Sequence, residues 1–231
     1  MDPKDHFMQI YRLHGTTYHE LISYEDTDGN LRPSLTKITS FASKSILDLG
    51  TGTGRIPLLF PDSNITGVDL HWEMLIENQR QQRPDPRPLV QGDMRILPFS
   101  NNCFEIVTAG WALGHFTGWF GDQWQQHMEQ VLNEVSRVLK PEGWLVILET
   151  MTTGSHTPAP PSEGLATYYR WLEEDLGFET HVIQTDYLFD DLSQATRYAQ
   201  FFFGIDLAKK VRKHNWVRLP EWTGIWARQI G

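Results

Sequence analysis

Short apolar segments and amphipathic stretches alternate through the middle of this chain. Five apolar runs bounded by polar or turn residues predict β-strands, at residues 46–49, 64–69, 90–94, 104–108 and 145–149. Residues 124–139 instead carry apolar side chains at steps of three and four, which predicts an amphipathic helix. The segment 140–143, Lys-Pro-Glu-Gly, ends that helix, because proline cannot continue it and glycine turns the chain. Strands that alternate with helices predict a mostly parallel sheet with helices on both faces.

The regions on either side of this alternation are less regular. Residues 7–41 are expected to be partly helical, with a turn at 28–30. Residues 151–163 are rich in Thr, Ser, Gly and Pro, which predicts a loop at the sheet edge where ligands bind. Helices are predicted over 166–172 and 192–211, the second with three phenylalanines at its centre.

A glycine-rich loop follows the first predicted strand. Asp48 precedes three glycines spaced two apart, Gly50, Gly52 and Gly54. Asp69 ends the second strand, 19 residues after Gly50, where an acid can accept hydrogen bonds from ribose hydroxyls. The G-x-G-x-x-G fingerprint of nicotinamide-binding proteins does not fit, because its third glycine falls on Arg55, whose bulk would block close helix–strand packing. A loop of this kind predicts a different nucleotide-like ligand.

The ordered motifs in residues 46–149 resemble class I S-adenosylmethionine-dependent methyltransferases of the UbiE or type 11 branch. Each motif is weak alone, and the order and spacing of the set carry the resemblance. The motifs are Ile46–Gly54, Gly67-Val68-Asp69, Gly92-Asp93-Met94, Leu97-Pro98-Phe99, Phe104–Val107 and Val135–Gly143.

The resemblance implies a Rossmann-like α/β fold. Its seven-stranded, mostly parallel sheet would have helices on both faces and an antiparallel last strand. Residues 184–189 and 219–226 would supply antiparallel sixth and seventh strands. The expected organisation is one methyltransferase domain over 1–231, with an N-terminal helical cap at 1–45, a cofactor-binding core at 46–150, and a lid with the C-terminal strands at 151–231.

The resemblance also implies a set of residues that bind S-adenosylmethionine. The set is Asp48, Gly50, Thr51, Gly52, Gly54, Asp69, Leu70, Asp93, Met94, Ala109, Gly110 and Trp111. Asp69 would accept from both ribose hydroxyls, Asp93 from the adenine amino group, and the side chains of Leu70 and Met94 would sandwich adenine. Two alternatives remain open: Asp48 as an acid that only stabilises the loop, and Asp69 as a turn residue or helix N-cap.

Histidine and tryptophan residues after the fourth strand are candidates for the acceptor side. His115 is the candidate general base, because the ordinary histidine pKa suits proton transfer near neutral pH; the alternative is a packing residue. Trp111 would either shape the acceptor pocket or lie in the core. Trp111, Trp119 and Trp171 all map near the presumed acceptor side. Aromatic walls suit a planar or apolar small molecule. No metal site is predicted.

Charge and cysteine content narrow the choice of function. The chain has 20 basic and 29 acidic residues, a net charge of −9, which disfavours binding along a phosphate backbone. The basic cluster at 209–214 is interpreted as a solvated helix end. One cysteine, Cys103, cannot form an internal disulfide, and no apolar run approaches membrane-spanning length, so a cytoplasmic protein is expected.

The expected function is methyl transfer from S-adenosylmethionine to an O or N atom of a small-molecule acceptor. The first alternative keeps this chemistry and makes the acceptor RNA or protein. The second is a non-catalytic module that binds S-adenosylmethionine as a partner subunit. No Ser-His-Asp or Cys-His signature is required, because the methyl group is already activated on the sulfonium and alignment supplies much of the rate.

Overall fold

The computed structural model describes residues 3–82 and 86–230. The described strands are β1 (Ser45–Leu49), β2 (Asn64–Asp69), β3 (Leu89–Gln91), β4 (Phe104–Gly110), β5 (Leu139–Thr153), β6 (Glu179–Gln184), β7 (Tyr187–Leu188), β8 (Arg218–Leu219) and β9 (Glu221–Ile230). The described α-helices are α1 (Pro3–Leu13), α2 (Gly15–Ser23), α3 (Leu31–Ile38), α4 (Arg55–Leu59), α5 (Trp72–Gln81), α6 (His115–Trp119), α7 (Trp124–Val138), α8 (Glu163–Arg170), α9 (Leu192–Phe203) and α10 (Ile205–His214). A 3₁₀ turn covers Gly121–Gln123 and a π-helical turn covers Trp171–Asp175.

Seven strands form one sheet in the order β3-β2-β1-β4-β5-β9-β6. Strands β1 to β5 are parallel to one another, and β9 is antiparallel to both β5 and β6. The predicted Rossmann-like sheet with an antiparallel last strand is therefore confirmed.

The central strands are apolar on both faces, as expected for a parallel sheet covered by helices. Leu47 and Val107 pack on the face covered by α7, together with Met128 and Val135 of that helix. Their alternating neighbours, such as Ile46, pack on the opposite face with α3 and α4. Both clusters consist of buried side chains, so the sheet is the centre of the core and its carboxyl edge is free to carry polar residues.

The C-terminal third differs from the prediction in two respects. The sixth sheet strand is β6, which ends at Gln184 where the predicted strand began, and it runs parallel to β5. The segment predicted as that strand instead supplies β7, which pairs with β8 in a separate two-stranded ribbon. The single helix predicted over 192–211 is two helices, because Gly204 adopts φ = 93° and breaks the helix between α9 and α10.

Other boundaries moved by a few residues. Strand β3 is shorter than predicted, and β5 extends from Leu139 to Thr153 because Leu139 pairs with Phe104 of β4 and residues 143–153 pair with β9. The predicted loop after the fifth strand is thereby reduced to 154–162. Helix α7 ends at Val138, within one residue of the prediction, but the segment 140–143 that was expected to turn the chain is part of β5.

Helices α1 and α2 pack against α5 and α6. They therefore lie over the carboxyl ends of the parallel strands, where the glycine-rich loop is. In the described part of the chain, no helix is long and apolar enough to cross a membrane.

Candidate functional site

The glycine-rich loop between β1 and α4 has backbone conformations that favour glycine. Gly50, Gly52 and Gly54 have φ values of 64°, 52° and 96°. A Cβ atom on Gly50 would lie 2.6 Å from Cβ of Ala112, and one on Gly54 would lie 2.9 Å from Oδ1 of Asn78. Side chains would therefore clash where the loop passes the β4–α6 turn and helix α5.

Two polar side chains hold this loop in place. The amide of Asn78, on α5, donates to the carbonyl of Gly52 at 3.0 Å. The carboxylate of Asp69 accepts from the backbone N–H of Gly52 at 2.9 Å and from that of His71 at 2.8 Å. The backbone N–H of Leu70 also donates to this carboxylate, so about one of its roughly four acceptor positions remains for a ligand hydroxyl. The turn role and the ribose role of Asp69 are thus compatible.

Asp48 lies beneath the loop and is buried. Thr108 on β4 donates to its Oδ1 at 2.6 Å, while its Oδ2 has no hydrogen-bond partner. Burial raises the pKa of Asp48 to about 6, against the lowering effect of the hydrogen bonds from Thr108 and Thr51. An orphaned buried carboxylate oxygen is costly unless a donor reaches it, which makes Asp48 a candidate partner for a cation or a bridging water.

A cavity of about 120 Å³, here called the glycine-loop cavity, opens above this loop. Eight of the predicted binding residues line it: Gly50, Gly52, Asp69, Leu70, Asp93, Met94, Gly110 and Trp111. The other four, Asp48, Thr51, Gly54 and Ala109, are buried and do not line it. The predicted set therefore divides into a lining layer and a supporting layer.

The residues predicted to hold adenine lie at one end of the glycine-loop cavity. Leu70 is 49% exposed there, and Met94 is half-buried. The carboxylate of Asp93 is already bound by Arg95, whose Nε lies 3.0 and 3.1 Å from its two oxygens, and this hydrogen-bonded cation lowers the pKa of Asp93. Asp93 would therefore share its lone pairs between Arg95 and an adenine amino group.

A second, larger cavity of about 320 Å³ adjoins the first and is here called the aromatic cavity. Its walls come from α1, α2, α6, α8, the carboxyl half of β5 and the end of α9, and nine of its 23 lining residues are Phe, Tyr or Trp. Five side chains line both cavities: Tyr11, Tyr18, Trp111, His115 and Trp119. Ligands in the two cavities would thus both contact these five side chains.

His115 lies at the junction and is held on two sides. Its Nε2 is 2.9 Å from the hydroxyl of Tyr11, and its ring stacks on Trp119 at 5.0 Å between centroids with an 8° interplanar angle. Burial, with a smaller effect from His71, lowers the pKa of His115 to about 4. The imidazole is therefore neutral at physiological pH, and its protonated form is unstable there.

Trp111 is positioned by an unusual backbone and a stacked cation. It has φ = 51°, which is uncommon for a bulky residue, and its N–H donates to the carbonyl of Leu148 at 2.7 Å. The guanidinium of Arg55 lies 3.8 Å from the centroid of the Trp111 ring and pairs with Glu25 at 2.7 Å. Arg55 was interpreted from the sequence only as a residue that breaks a fingerprint; it is instead a wall of the aromatic cavity that connects the cap to the loop.

Glu149, at the carboxyl end of the sheet on β5, is a second acid in the aromatic cavity. Its side chain is buried, and its Oε1 accepts from the N–H of Gly114 at 2.7 Å. Burial raises the pKa of Glu149 to about 8, against the lowering effect of backbone donors from Gly114 and Leu113. A carboxyl group with this pKa changes its protonation close to neutral pH.

One aromatic residue was misplaced by the sequence analysis. Trp171 was expected near the acceptor side, but it packs edge-to-face on Trp124 at 5.3 Å in the core and lines neither cavity. It lies in the π-helical turn after α8, which buries its indole.

Several lining residues were missed, and only one of them had a usable signal. Glu149 ends an apolar strand in an acid, as Asp69 does, so the criterion that selected Asp69 would have found it. Tyr11, Tyr18 and Arg55 had no such signal, because their place at the site depends on where the cap packs.

The comparisons with known proteins agree with this geometry. A family model described as a methyltransferase domain matches residues 47–147. Residues 47–147 are therefore similar to the class I methyltransferases, the class whose cofactor is S-adenosylmethionine, and the sequence relatives include enzymes of the UbiE branch.

Two curated relatives illustrate the range of that branch. The chain is 32% identical over 148 residues to demethylmenaquinone methyltransferase of Lactobacillus johnsonii, which is 59% of this chain and 56% of that protein. It is 26% identical over 151 residues to malonyl-[acyl-carrier protein] O-methyltransferase of Legionella pneumophila, 63% of this chain and 50% of that protein. The chain thus spans about half the length of the curated relatives it matches.

A solved structure supports the fold independently. Phosphoethanolamine N-methyltransferase 2 of Haemonchus contortus, solved with phosphomonomethylethanolamine and S-adenosylhomocysteine, superposes with a TM-score of 0.53 at 17% identity. The match covers 87% of this chain and 53% of that one. At this identity the likeness shows the fold alone.

Proposed function

We propose that this protein transfers the methyl group of S-adenosylmethionine to a small molecule bound in the aromatic cavity. The observation that carries the proposal is the junction of the two cavities, where Trp111, His115 and Trp119 line both. Methyl transfer requires the donor carbon and the acceptor atom to be aligned at short range, and adjoining pockets with common walls provide that alignment.

The residues of the glycine-loop cavity fit S-adenosylmethionine. A remaining lone pair of Asp69 is an acceptor for a ribose hydroxyl, and the exposed side chain of Leu70 offers an apolar face to adenine. Asp48 lies in the supporting layer beneath the cavity, where its Oδ2 is a candidate acceptor for the ammonium through a bridging water. When bound, this cofactor would supply an activated methyl group on a sulfonium.

The acceptor atom is proposed to be oxygen or nitrogen. The named relatives include an O-methyltransferase and a ubiquinone/menaquinone C-methyltransferase, so carbon is the competing site. Mass spectrometry of the product after isotope-labelled methyl transfer separates the three outcomes.

Two features favour a small acceptor over RNA or protein. The aromatic cavity is covered by side chains of the cap, including Phe7 and Tyr18, and the chain carries a net charge of −9. A non-catalytic module would not need an acceptor cavity of about 320 Å³ beside the cofactor residues.

Calorimetry with S-adenosylhomocysteine and NAD is the first experiment. Binding of the first and none of the second is expected, and equal or tighter binding of NAD would overturn the cofactor assignment. A screen of metabolites with labelled S-adenosylmethionine then tests transfer. Cofactor binding without transfer to any acceptor would favour the non-catalytic module instead.

Residues 151–176 are proposed to close over the acceptor. The segment contributes Pro161, Ser162, Leu165 and Tyr169 to the aromatic cavity, while Tyr168 and Leu172 are fully buried in the core. We therefore expect hydrogen exchange to slow mainly in 154–165 when S-adenosylhomocysteine and an acceptor are both present. Equal protection of 154–165 in the free protein would mean that the segment is fixed structure.

A further inference from the structure

The turn between β4 and α6 is shaped around the carboxyl group of Glu149. The N–H of Gly114 donates to its Oε1 at 2.7 Å. A Cβ atom on Gly114 would lie 2.8 Å from the other oxygen, Oε2, and 2.9 Å from Cδ2 of Leu165. Glycine at this position therefore makes room for a carboxyl group in the wall of the aromatic cavity.

The other ionisable groups of the aromatic cavity are committed to partners. The carboxylate of Glu25 pairs with Arg55 at 2.7 Å, and His115 is hydrogen-bonded to Tyr11 and stacked on Trp119. Within the residues that the structure describes, Glu149 forms no ion pair. It is thus the acid of this cavity that no cation neutralises.

We propose that the carboxylate of Glu149 takes the proton that the acceptor loses when it is methylated. This inference rests on the proposed function and adds a catalytic residue to it. The acceptor exchanges its X–H bond for an X–C bond, and the electron pair of the broken methyl–sulfur bond stays on sulfur. The proton moves to Glu149, so one positive and one negative charge disappear together and the carboxylic acid remains until it releases its proton to solvent.

The protonation behaviour of the two candidate bases agrees with this assignment. Burial raises the pKa of Glu149 to about 8, so its carboxylic acid retains a proton at neutral pH, whereas the pKa of His115 is lowered to about 4. A base works best when its conjugate acid has a pKa near the working pH.

The ionisable groups that face Glu149 are neutral, so burial is the main cause of its raised pKa. Tyr11 of α1 and Tyr168 and Tyr169 of α8 interact with it electrostatically, and burial raises the pKa of all three hydroxyls. These phenols are therefore neutral near pH 7 and contribute no net charge. The N–H groups of Gly114 and Leu113 are the donors that favour the ionised form.

The alternative is that Glu149 only ties β5 to the turn at Gly114. The substitution Glu149→Gln separates the two roles, because the amide oxygen still accepts from Gly114 while the side chain can no longer take a proton. We expect turnover to fall by about 10²–10⁴-fold, with affinity for S-adenosylhomocysteine unchanged. The matched control is Glu174→Gln, an exposed position in neither cavity, which should leave turnover unchanged.

The pH profile gives a readout that a structural role would not produce. Wild-type turnover should rise as the pH approaches about 8, and the remaining activity of Glu149→Gln should lose that rise. If Glu149→Gln does not fold, Glu149→Asp keeps the carboxyl group and should retain a pH-dependent rate. A wild-type profile that rises near pH 4 instead, or a fall of only a few-fold in Glu149→Gln, would overturn the proposal.

An infrared titration checks protonation without any acceptor or turnover. The difference spectrum between wild type and Glu149→Gln should contain a carboxylic C=O stretch that disappears near pH 8, in the presence of S-adenosylhomocysteine. A band that disappears near the ordinary glutamate pKa of 4.5 would overturn the assignment. Failure of the proposed function appears differently, as a wild-type protein that transfers methyl groups to nothing.

Discussion

The two cavities are built in different ways although they share a wall. The glycine-loop cavity is made largely by strand ends and the turns that follow them, and its glycines are held by backbone geometry and by Asn78 and Asp69. The aromatic cavity is made by side chains from the cap, α6, α8 and α9, which are far apart in the sequence. The first is therefore set by local sequence, and the second by how helices pack over the sheet.

The difference in construction corresponds to a difference between the two ligands, the cofactor and the proposed acceptor. A cofactor common to a whole class of enzymes is bound by elements that the fold always brings together at one sheet edge. An acceptor that varies between relatives is bound by helices that can change without disturbing the sheet. Substitutions in each cavity, and at the wall that the two cavities share, test this distinction.

The largest effect is expected from Gly50→Ala. The new Cβ would lie 2.6 Å from that of Ala112, at a backbone φ of +64°. Positive-φ strain and overpacking each cost about 1–3 kcal/mol, so we expect loss of S-adenosylhomocysteine binding in calorimetry. The control is Gly177→Ala, with φ = +68° and no atom within 4 Å of the added Cβ, which should keep binding. Equal loss in both variants would mean that backbone strain alone is responsible.

The next effect is the pH dependence of the free energy of unfolding that comes from Glu149 in the aromatic cavity. Between about pH 4.5 and 8, folded Glu149 holds a proton that the unfolded chain has released, so raising the pH through this window favours unfolding. We expect wild type to lose on the order of 2–4 kcal/mol of unfolding free energy relative to Glu149→Gln across it. Denaturant unfolding at both ends of the window measures this, and parallel curves would show that Glu149 titrates normally.

His115 acts in a different window, because its lowered pKa removes stability as pH falls from 6.5 to about 4.

Asp69→Ala is expected to weaken S-adenosylhomocysteine binding by about 1–3 kcal/mol, the usual cost of losing hydrogen bonds to a charged group. The substitution also removes the acceptor for Gly52 and His71, so part of the loss would come from the loop. Asp69→Asn separates these parts by keeping one acceptor oxygen. Unchanged affinity in folded Asp69→Ala would remove Asp69 from the ribose role.

The smallest effect is expected from Tyr11→Phe, which removes the hydrogen bond to His115 between the cap and α6. One such bond contributes about 1 kcal/mol, so amide exchange in α1 should become several-fold faster. Tyr169→Phe is the matched control. It removes a hydrogen bond to the carbonyl of Thr150 on β5, which lies in the same cavity but does not involve α1. Faster exchange of α1 in both variants would show that the cap responds to the whole cavity and not to this contact.

The sheet core and the glycine loop could be predicted from local sequence patterns. Short apolar runs bounded by polar residues and the steps of three and four in α7 are local patterns, and local patterns fix strands and helices whose faces are buried. The strand-end acids and the positive-φ glycines were readable for the same reason, since a parallel sheet brings all carboxyl ends to one edge. Only the resemblance to a known class turned that edge into an expected cofactor site.

The position of the sixth strand, the lining of the aromatic cavity and two protonation states depend on the tertiary fold. The sixth strand was misplaced because β6 is half-exposed and its pairing with β9 depends on a partner about 45 residues away. The places of Tyr11, Tyr18 and Arg55 around one cavity depend on how the cap packs over the strand ends. The protonation of His115 and Glu149 was equally unreadable, because their opposite pKa shifts come from burial, and burial exists only once the helices close over the sheet.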